Sequence, residues 1–163
     1  MTTQAQDNPA QGFRLEDFLP YRLVVVTDRV SRVFAGRFAE GLNLTLPEWR
    51  VLAAVAEHAV ASPTAVAAYT AMDKVKVSRA AQSLIGKGLL RQGHDPRDGR
   101  GRLLRLTRKG STTHSAAVPM ARNVAESLFD GLTRADIAAL NRALGKITTR
   151  IETMDDGANP EDC

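Results

Sequence analysis

The segment that most constrains the fold lies between residues 73 and 106, where a helical pattern gives way to two short apolar alternations. Asp73 is suited to cap a helix that runs to about Ile85, and the two glycines that follow are typical of a helix end. Residues 89–92 and 102–106 have the pattern of short strands, and the loop between them is rich in Gly, Pro and Asp. The segment therefore predicts a helix followed by a small β-hairpin.

This predicted helix has two chemically different sides. At about 100° per residue, one side carries only apolar residues, namely Val77, Ala80, Ala81 and Leu84. The opposite side carries Val75, Arg79, Gln82 and Ser83. We expect the first side to pack against the protein and the second to contact a partner.

Positive charge is concentrated in the same region of the chain. Between Lys74 and Gly110 there are eleven basic residues and two acidic ones, a local charge of +9, which leaves −5 for the remainder of a chain whose net charge is +4. A basic block in an acidic remainder is typical of a polyanion-binding surface, with nucleic acid favoured over an acidic membrane or a phosphorylated ligand. An ordinary solvated face is the alternative.

Three helices are predicted on the N-terminal side of this block. Apolar residues recur at steps of three and four over residues 19–38, which indicates a long amphipathic helix with Pro20 in its first turn. Gly41 and Asn43 are expected to stop it. Pro47 opens a second helix, and Ser62, followed by proline, caps a third that extends to about Tyr69.

Two further helices are predicted at the C-terminal end. Thr107 is suited to cap a fifth helix, which Pro119 is expected to kink or interrupt. A sixth begins with a capping-box-like pattern at Thr133 and Asp136. Its apolar residues, spaced three and four apart, need either a partner surface or their own domain to pack on: Ile137, Leu140, Leu144, Ile147 and Ile151.

Several classes of protein are disfavoured. At 163 residues the chain has material for one domain, and its longest apolar stretch is broken by Asp28 and Arg29, so we expect a cytoplasmic protein that does not span a membrane. Its single cysteine, Cys163, excludes an internal disulfide framework. The three histidines match no metal-ligand or catalytic-triad spacing, so neither an enzyme nor a metal or cofactor site is expected.

Two helices joined by a short turn and followed by a basic hairpin predict a winged helix-turn-helix: a mainly α fold with a small β-hairpin wing. In the major groove, we expect Arg79, Gln82 and Val75 to reach base edges, while Lys74, Lys76 and Ser78 contact phosphates. The hairpin tip is narrow enough to enter the minor groove with Arg97 and Arg100, and Asp98 can hold an arginine extended. The rival hypothesis is a nonspecific architectural DNA-binding protein. It is disfavoured because the outer side of the predicted helix carries more than lysine residues.

From Leu46 to Gly110 the chain resembles the MarR family of bacterial transcription regulators. The resemblance is carried by LPEWRVLAAVAEH, MDKVKVSRAAQSLIGKGLL and DPRDGRGRLLRLTRKG, of which the D-P-R-D-x-R wing pattern followed by L-T-x-x-G is the most specific. It implies a homodimer that binds a near-palindromic DNA operator and acts as a repressor. The wing residues would be Arg97, Asp98 and Arg100. Gly99 departs from the arginine that many members carry, so the tip is expected to contact DNA less heavily.

The resemblance also implies control by a small molecule. Residues 18–23 resemble a subgroup associated with aromatic catabolism, which favours an aromatic acid or its CoA thioester as effector. Tyr21, Arg22, Arg29 and His58 are the candidate ligand-binding residues, although surface salt bridges explain the arginines and a helix-end role explains His58 about as well. With Cys163 as the only cysteine, peroxide sensing through an N-terminal cysteine is not expected.

These patterns give the predicted organisation of the chain. Residues 1–12 are expected to be disordered, residues 13–154 to form a single MarR-like domain, and residues 155–163 to form a disordered tail. Within the domain, residues 45–110 would form the winged helix-turn-helix, flanked by dimerisation helices at 13–40 and 111–154.

Overall fold

The computed structural model describes residues 13–95 and 98–156, with the backbone alone described at 95, 98–101, 155 and 156. Backbone contacts divide the chain into two compact units that meet between Val124 and Ala125. The expected terminal segments, 1–12 and most of 155–163, lie outside the described residues.

Six α-helices and a two-stranded sheet make up the described chain, preceded by a short 3-10 helix at Leu15–Asp17. The predicted architecture, mainly α-helical with a small β-hairpin, is confirmed. The helices are α1 (Leu19–Leu42), α2 (Leu46–His58), α3 (Pro63–Thr70), α4 (Lys74–Gly86), α5 (Arg108–Leu128) and α6 (Arg134–Asp156). The strands are β1 (Leu90–Asp95) and β2 (Asp98–Leu106).

Side-chain caps begin the helices where the sequence places them. The Ser62 hydroxyl accepts from the Ala65 N–H at 3.1 Å, and the Asp73 carboxylate accepts from the Lys76 N–H at 2.7 Å. Thr133 and Asp136 exchange the two bonds of a capping box at the start of α6. These contacts satisfy N–H groups that a helix leaves unpaired in its first turn, which is why the predicted starts are confirmed.

The antiparallel hairpin is longer than predicted. Leu90 pairs with Leu106, and the ladder continues to Asp95 and Asp98, with an irregularity between residues 94 and 95. Pairing therefore extends into the polar residues that were predicted to form a loop, because backbone hydrogen bonds in a ladder do not depend on apolar side chains.

The core of the first unit lies where α1, α2, α4 and β2 meet. Phe38 is fully buried and stacks on Trp49, with ring centroids 4.9 Å apart. Ala61 forms an isolated antiparallel β-bridge with the buried Leu104, through backbone hydrogen bonds of 2.9 and 3.2 Å. This packing ties the hairpin to the helical layer. Helix α5 runs through Pro119 without interruption.

In the second unit, α6 exposes most of its apolar stripe. Ile137 is half-buried, whereas the rest of the predicted stripe is exposed: Leu140, Leu144, Ile147 and Ile151.

Candidate nucleic-acid interface

Helices α3 and α4 are joined by a three-residue turn. Ala71 ends α3 in the left-handed conformation, with φ of 51°, and its N–H donates to the Ala67 carbonyl. The next residue, Met72, is buried, and Asp73 then caps α4. A left-handed residue redirects the chain abruptly at a helix end, so α4 can begin at once.

Helix α4 buries one side and exposes the other. The four apolar residues predicted to pack, Val77, Ala80, Ala81 and Leu84, are all buried. The six α4 residues predicted to contact DNA are all exposed: Lys74, Val75, Lys76, Ser78, Arg79 and Gln82. Val75 is 59% exposed, although contact between an apolar side chain and water is unfavourable.

The basic residues of α4 differ in their partners. Lys76 lies 3.7 Å from the Asp73 carboxylate, which also caps the helix. The hydrogen bond from the Lys76 N–H and the charge of Lys76 hold the pKa of Asp73 below its ordinary value. Lys74 and Arg79 form no ion pair with any described residue, so their charges are available to an external anion.

An open groove of about 390 Å³ separates α4 from the start of α2. Thr45 and Pro47 line its α2 side, while Val75 and Arg79 line its α4 side. Two of the three candidate base-reading residues, Val75 and Arg79, therefore border a recess instead of projecting from a flat surface.

Glu48 lines this groove, and the sequence patterns did not predict its role. It is 3% exposed, and its carboxylate accepts hydrogen bonds from Ser83 Oγ at 2.5 Å and Lys87 Nζ at 2.9 Å. Burial raises the pKa of Glu48, but the bonds from Lys87, Ser83 and the Thr45 N–H outweigh burial and leave the pKa below its ordinary value. The Thr45-x-x-Glu48 capping-box spacing was the available signal, although it identifies a helix start and not this network.

Ser83 consequently differs from its neighbours on the outer side of α4. Ser83 is exposed as predicted, but its hydroxyl donates a hydrogen bond to Glu48.

The hairpin presents arginines away from the core. Arg91 and Arg105 are directly opposite each other in the register, and both are exposed. Arg102 donates to Gln92 at 3.5 Å on the other face. Of the predicted wing residues, Arg97 lies outside the described residues, and Asp98 and Arg100 belong to β2 with only their backbone described.

The motif after β2 connects the hairpin to α5. The Thr107 hydroxyl donates to the Gly88 carbonyl at 2.7 Å and accepts from the Gly110 N–H at 3.0 Å. A Cβ added at Gly110 would lie 2.0 Å from the Leu89 carbonyl oxygen, so only glycine fits this close approach. The L-T-x-x-G pattern thus has a packing cause.

The candidate ligand residues do not form one cluster. Tyr21, Arg22 and Arg29 are exposed on the first half of α1. His58, at the end of α2, contacts the Tyr69 ring edge-on, with ring centroids 4.8 Å apart. Among the described contacts, none joins His58 to the three α1 residues.

Metal and membrane sites have no counterpart in the described chain. Across residues 13–95 and 98–156, no group of three or more His, Cys, Asp or Glu is placed to hold a metal ion. No described helix has the length and apolar character that crossing a bilayer requires.

An exposed polar recognition helix, a capped turn before it and a basic hairpin after it define a winged helix-turn-helix protein of the DNA-binding class. A family model described as the MarR family matches residues 42–101 of this chain. Over these residues, which include the recognition helix and most of the hairpin, the chain is similar to the MarR family.

Individual relatives agree with this classification. The chain is similar to the HTH-type transcriptional repressor IacR of Pseudomonas putida, with 27% identity over 91% of this chain and 88% of that protein. It is also similar to the structure of Bordetella bronchiseptica BpsR, whose regulation of DNA binding is by 6-hydroxynicotinic acid, with 27% identity, a TM-score of 0.77, and coverage of 83% of this chain and 96% of BpsR.

A third match concerns the fold alone. A MarR/EmrR family regulator from Acinetobacter sp. ADP1 superposes with a TM-score of 0.80 at 16% identity, over 86% of this chain and 99% of that one.

Proposed function

We propose that this protein is a ligand-responsive transcriptional repressor that binds a pseudo-palindromic DNA operator as a homodimer. The observation that carries the proposal is the outer side of α4, where Arg79 and Gln82 stand exposed beside an arginine-bearing hairpin. The repressor function of IacR and the regulated DNA binding of BpsR support it.

Each exposed α4 residue has a role that its chemistry suits. Arg79 donates to guanine in the major groove, Gln82 pairs with adenine, and Val75 contacts a thymine methyl group. Lys74, Lys76 and Ser78 bind phosphates near the start of α4, where they set the position of the helix without reading sequence. Asp73 assists by holding Lys76 close to the helix N-terminus.

The wing complements this contact in the minor groove. Arg97 and Arg100 enter the groove, where the negative potential attracts guanidinium groups, and Asp98 orients one of them. A long ladder behind the tip makes the hairpin a stiff support for these side chains.

Apolar surfaces on α1 and α6 support a dimer. On α1, Leu19, Val24, Val26 and Val33 are each more than two-fifths exposed. The α6 stripe from Leu140 to Ile151 is exposed as well. Exposed apolar residues clustered on a helix mark an interaction site, and a second copy of the chain buries those of α1 and those of α6.

We further propose that the effector is an anionic aromatic compound, free or as its CoA thioester. Tyr21, Arg22 and Arg29 supply an aromatic ring and two guanidinium groups that pair with no described carboxylate, whereas His58 is a separate candidate at the end of α2. BpsR responds to an aromatic acid of this kind. A ligand lowers operator affinity only by binding the DNA-incompetent arrangement more tightly, with typical couplings of about 1 to 3 kcal/mol.

Selection from a random duplex pool tests DNA recognition. We expect an inverted repeat with half-sites about one helical turn apart, and log affinity should fall steeply with log salt concentration. Recovery of no motif, together with sequence-blind binding at physiological salt, would establish the nonspecific architectural function instead.

Titration of benzoates, hydroxycinnamates and their CoA thioesters against the complex with the selected duplex tests the effector class. Arg22→Ala and Arg29→Ala should reduce the response more than they reduce DNA binding. Arg32→Ala is a matched control, because Arg32 lies on the same helix but pairs with Asp28 at 2.8 Å. If no compound shifts operator affinity or melting temperature, the effector class is wrong and the DNA-binding function stands.

A further inference from the structure

Glu48 contacts more than its own helix requires. Its carboxylate accepts from the Thr45 N–H at 2.7 Å, while the Thr45 hydroxyl accepts from the Glu48 N–H, which completes a local capping box. Capping accounts for these bonds only. The contacts with Ser83 and Lys87 join residues 35 and 39 positions apart and connect α2 to the recognition helix.

Lys87 extends these contacts to the end of α1. Its Nζ lies 2.8 Å from a Glu48 carboxylate oxygen and donates to the Asn43 carbonyl at 2.8 Å. Asn43 is the C-terminal cap of α1, and Lys87 is the C-terminal cap of α4. The Lys87 carbonyl in turn accepts from Lys109 Nζ, on the first turn of α5, at 2.8 Å. The Glu48 carboxylate and the Lys87 ammonium group therefore connect α1, α2 and α4, and the Lys87 carbonyl adds the link to α5.

The position of Ser83 gives this junction a bearing on DNA recognition. Ser83 follows Arg79 by four residues, so the two side chains are neighbours on the same side of α4. Both line the groove in which Glu48 is buried. A bond that fixes Ser83 also fixes the rotation of α4 about its axis, and hence the direction in which Arg79 leaves the helix.

We propose that Glu48 is a positioning residue for DNA recognition: through Ser83 it sets the rotation of α4, and through Lys87 it holds that rotation relative to the end of α1. This inference rests on the proposed function. The carboxylate is charged and buried, so it has a strong preference for an arrangement in which both donors reach it. Rotation of α4 would leave that charge incompletely paired.

The test compares Glu48→Gln with Glu57→Gln in the full chain, using the duplex selected with the wild-type protein and a scrambled duplex. Both variants remove one negative charge from α2, but Glu57 is exposed. Glu48→Gln should lower the ratio of selected to scrambled affinity by about fivefold or more, with an unchanged salt slope. Glu57→Gln should retain the wild-type ratio. An equal ratio in the two variants, measured well below their melting temperatures, would overturn the proposal.

Ser83→Ala provides a second variant that leaves the capping box and the Lys87 contact in place. It should lower the same ratio in the wild-type background and have little further effect in the Glu48→Gln background, because Ser83 acts through Glu48. Equal losses in both backgrounds would show that Ser83 contacts DNA directly, against the proposal. If Glu48→Gln does not fold, Ser83→Ala decides alone, and an unchanged ratio overturns the inference.

These outcomes are separable from failure of the proposed function. If selection with the wild-type protein returns no motif, the proposed operator binding itself is wrong. If a motif is obtained and its preference survives loss of the Glu48 contacts, the positioning role alone fails.

Discussion

The indole ring of Trp49 stacks on the imidazole of His114, with ring centroids 5.6 Å apart and planes inclined by 15°. Trp49 also stacks on Phe38, so aromatic contacts join α1, α2 and α5 within the first unit. Burial lowers the pKa of His114 below its ordinary value of 6.5.

The first prediction concerns pH and stability. In the unfolded chain, His114 binds a proton more readily than in the folded chain. The contribution of neutral His114 to stability is therefore present above pH 6.5 and is lost as pH falls through the lower folded-state pKa. His114→Phe should remove this dependence while retaining a ring against Trp49. Urea unfolding between about pH 5 and pH 8 measures it.

The second prediction concerns the turn between β2 and α5. Gly110→Ala would place a Cβ 2.0 Å from a backbone carbonyl oxygen, which cannot move without displacing Leu89. We expect a loss of about 2 kcal/mol or more in the free energy of unfolding. Gly93→Ala meets nothing within 4 Å and should change stability by less than about 0.5 kcal/mol. Similar effects from both substitutions would contradict the close approach.

The third prediction is a double-mutant cycle on the ion pair between the half-buried Lys87 and the buried Glu48. Lys87→Met leaves the Glu48 carboxylate without its cation and should cost about 2 kcal/mol of stability. Lys87→Met combined with Glu48→Gln should recover part of that loss, because the second change removes the unpaired charge. Additive losses would show that the two residues act independently.

The same cycle has a pH signature. With its pKa lowered, Glu48 contributes stability that is present above pH 4.5 and is lost as pH falls through the folded-state value. Acid unfolding curves of Glu48→Gln should therefore lack this step.

The fourth prediction separates base readers from phosphate contacts on α4. Arg79→Ala should cost about 1 to 3 kcal/mol on the selected duplex and relax the preference at one base position. Lys74→Ala should weaken binding to all duplexes and reduce the salt slope by about 1. Uniform losses for Arg79→Ala would show that Arg79 contacts phosphate only.

The fifth prediction concerns the two opposed arginines of the hairpin. Like charges directly opposite in a ladder are destabilising, so Arg105→Thr should raise the free energy of unfolding by about 0.2 to 1 kcal/mol. If the pair faces DNA phosphate, the substitution should also reduce the salt slope by about 1, whereas Arg142→Gln on α6 should not. A stability gain with an unchanged slope would mean that the pair lies away from the duplex.

Local signals in the sequence determined most of the fold. Ser62, Asp73 and Thr133 begin helices because a side-chain oxygen close in sequence satisfies free N–H groups, and this chemistry needs no distant partner. The buried and exposed sides of α4 followed from its periodicity, since the helical repeat fixes which residues share a face. The DNA-binding class could be inferred because its charge and its recognition helix are both contiguous in the chain.

Only the tertiary structure decided the contacts that join distant segments. Glu48 is an unremarkable helix-start residue in the sequence, and its meeting with Ser83 and Lys87 depends on how α2 and α4 pack. The ladder of the hairpin extends into residues 93–95 because strand pairing uses backbone groups, which hydrophobic patterning does not report. The glycine requirement at position 110 arises from the approach of Leu89, since a steric limit belongs to the pair of segments that meet and not to either sequence alone.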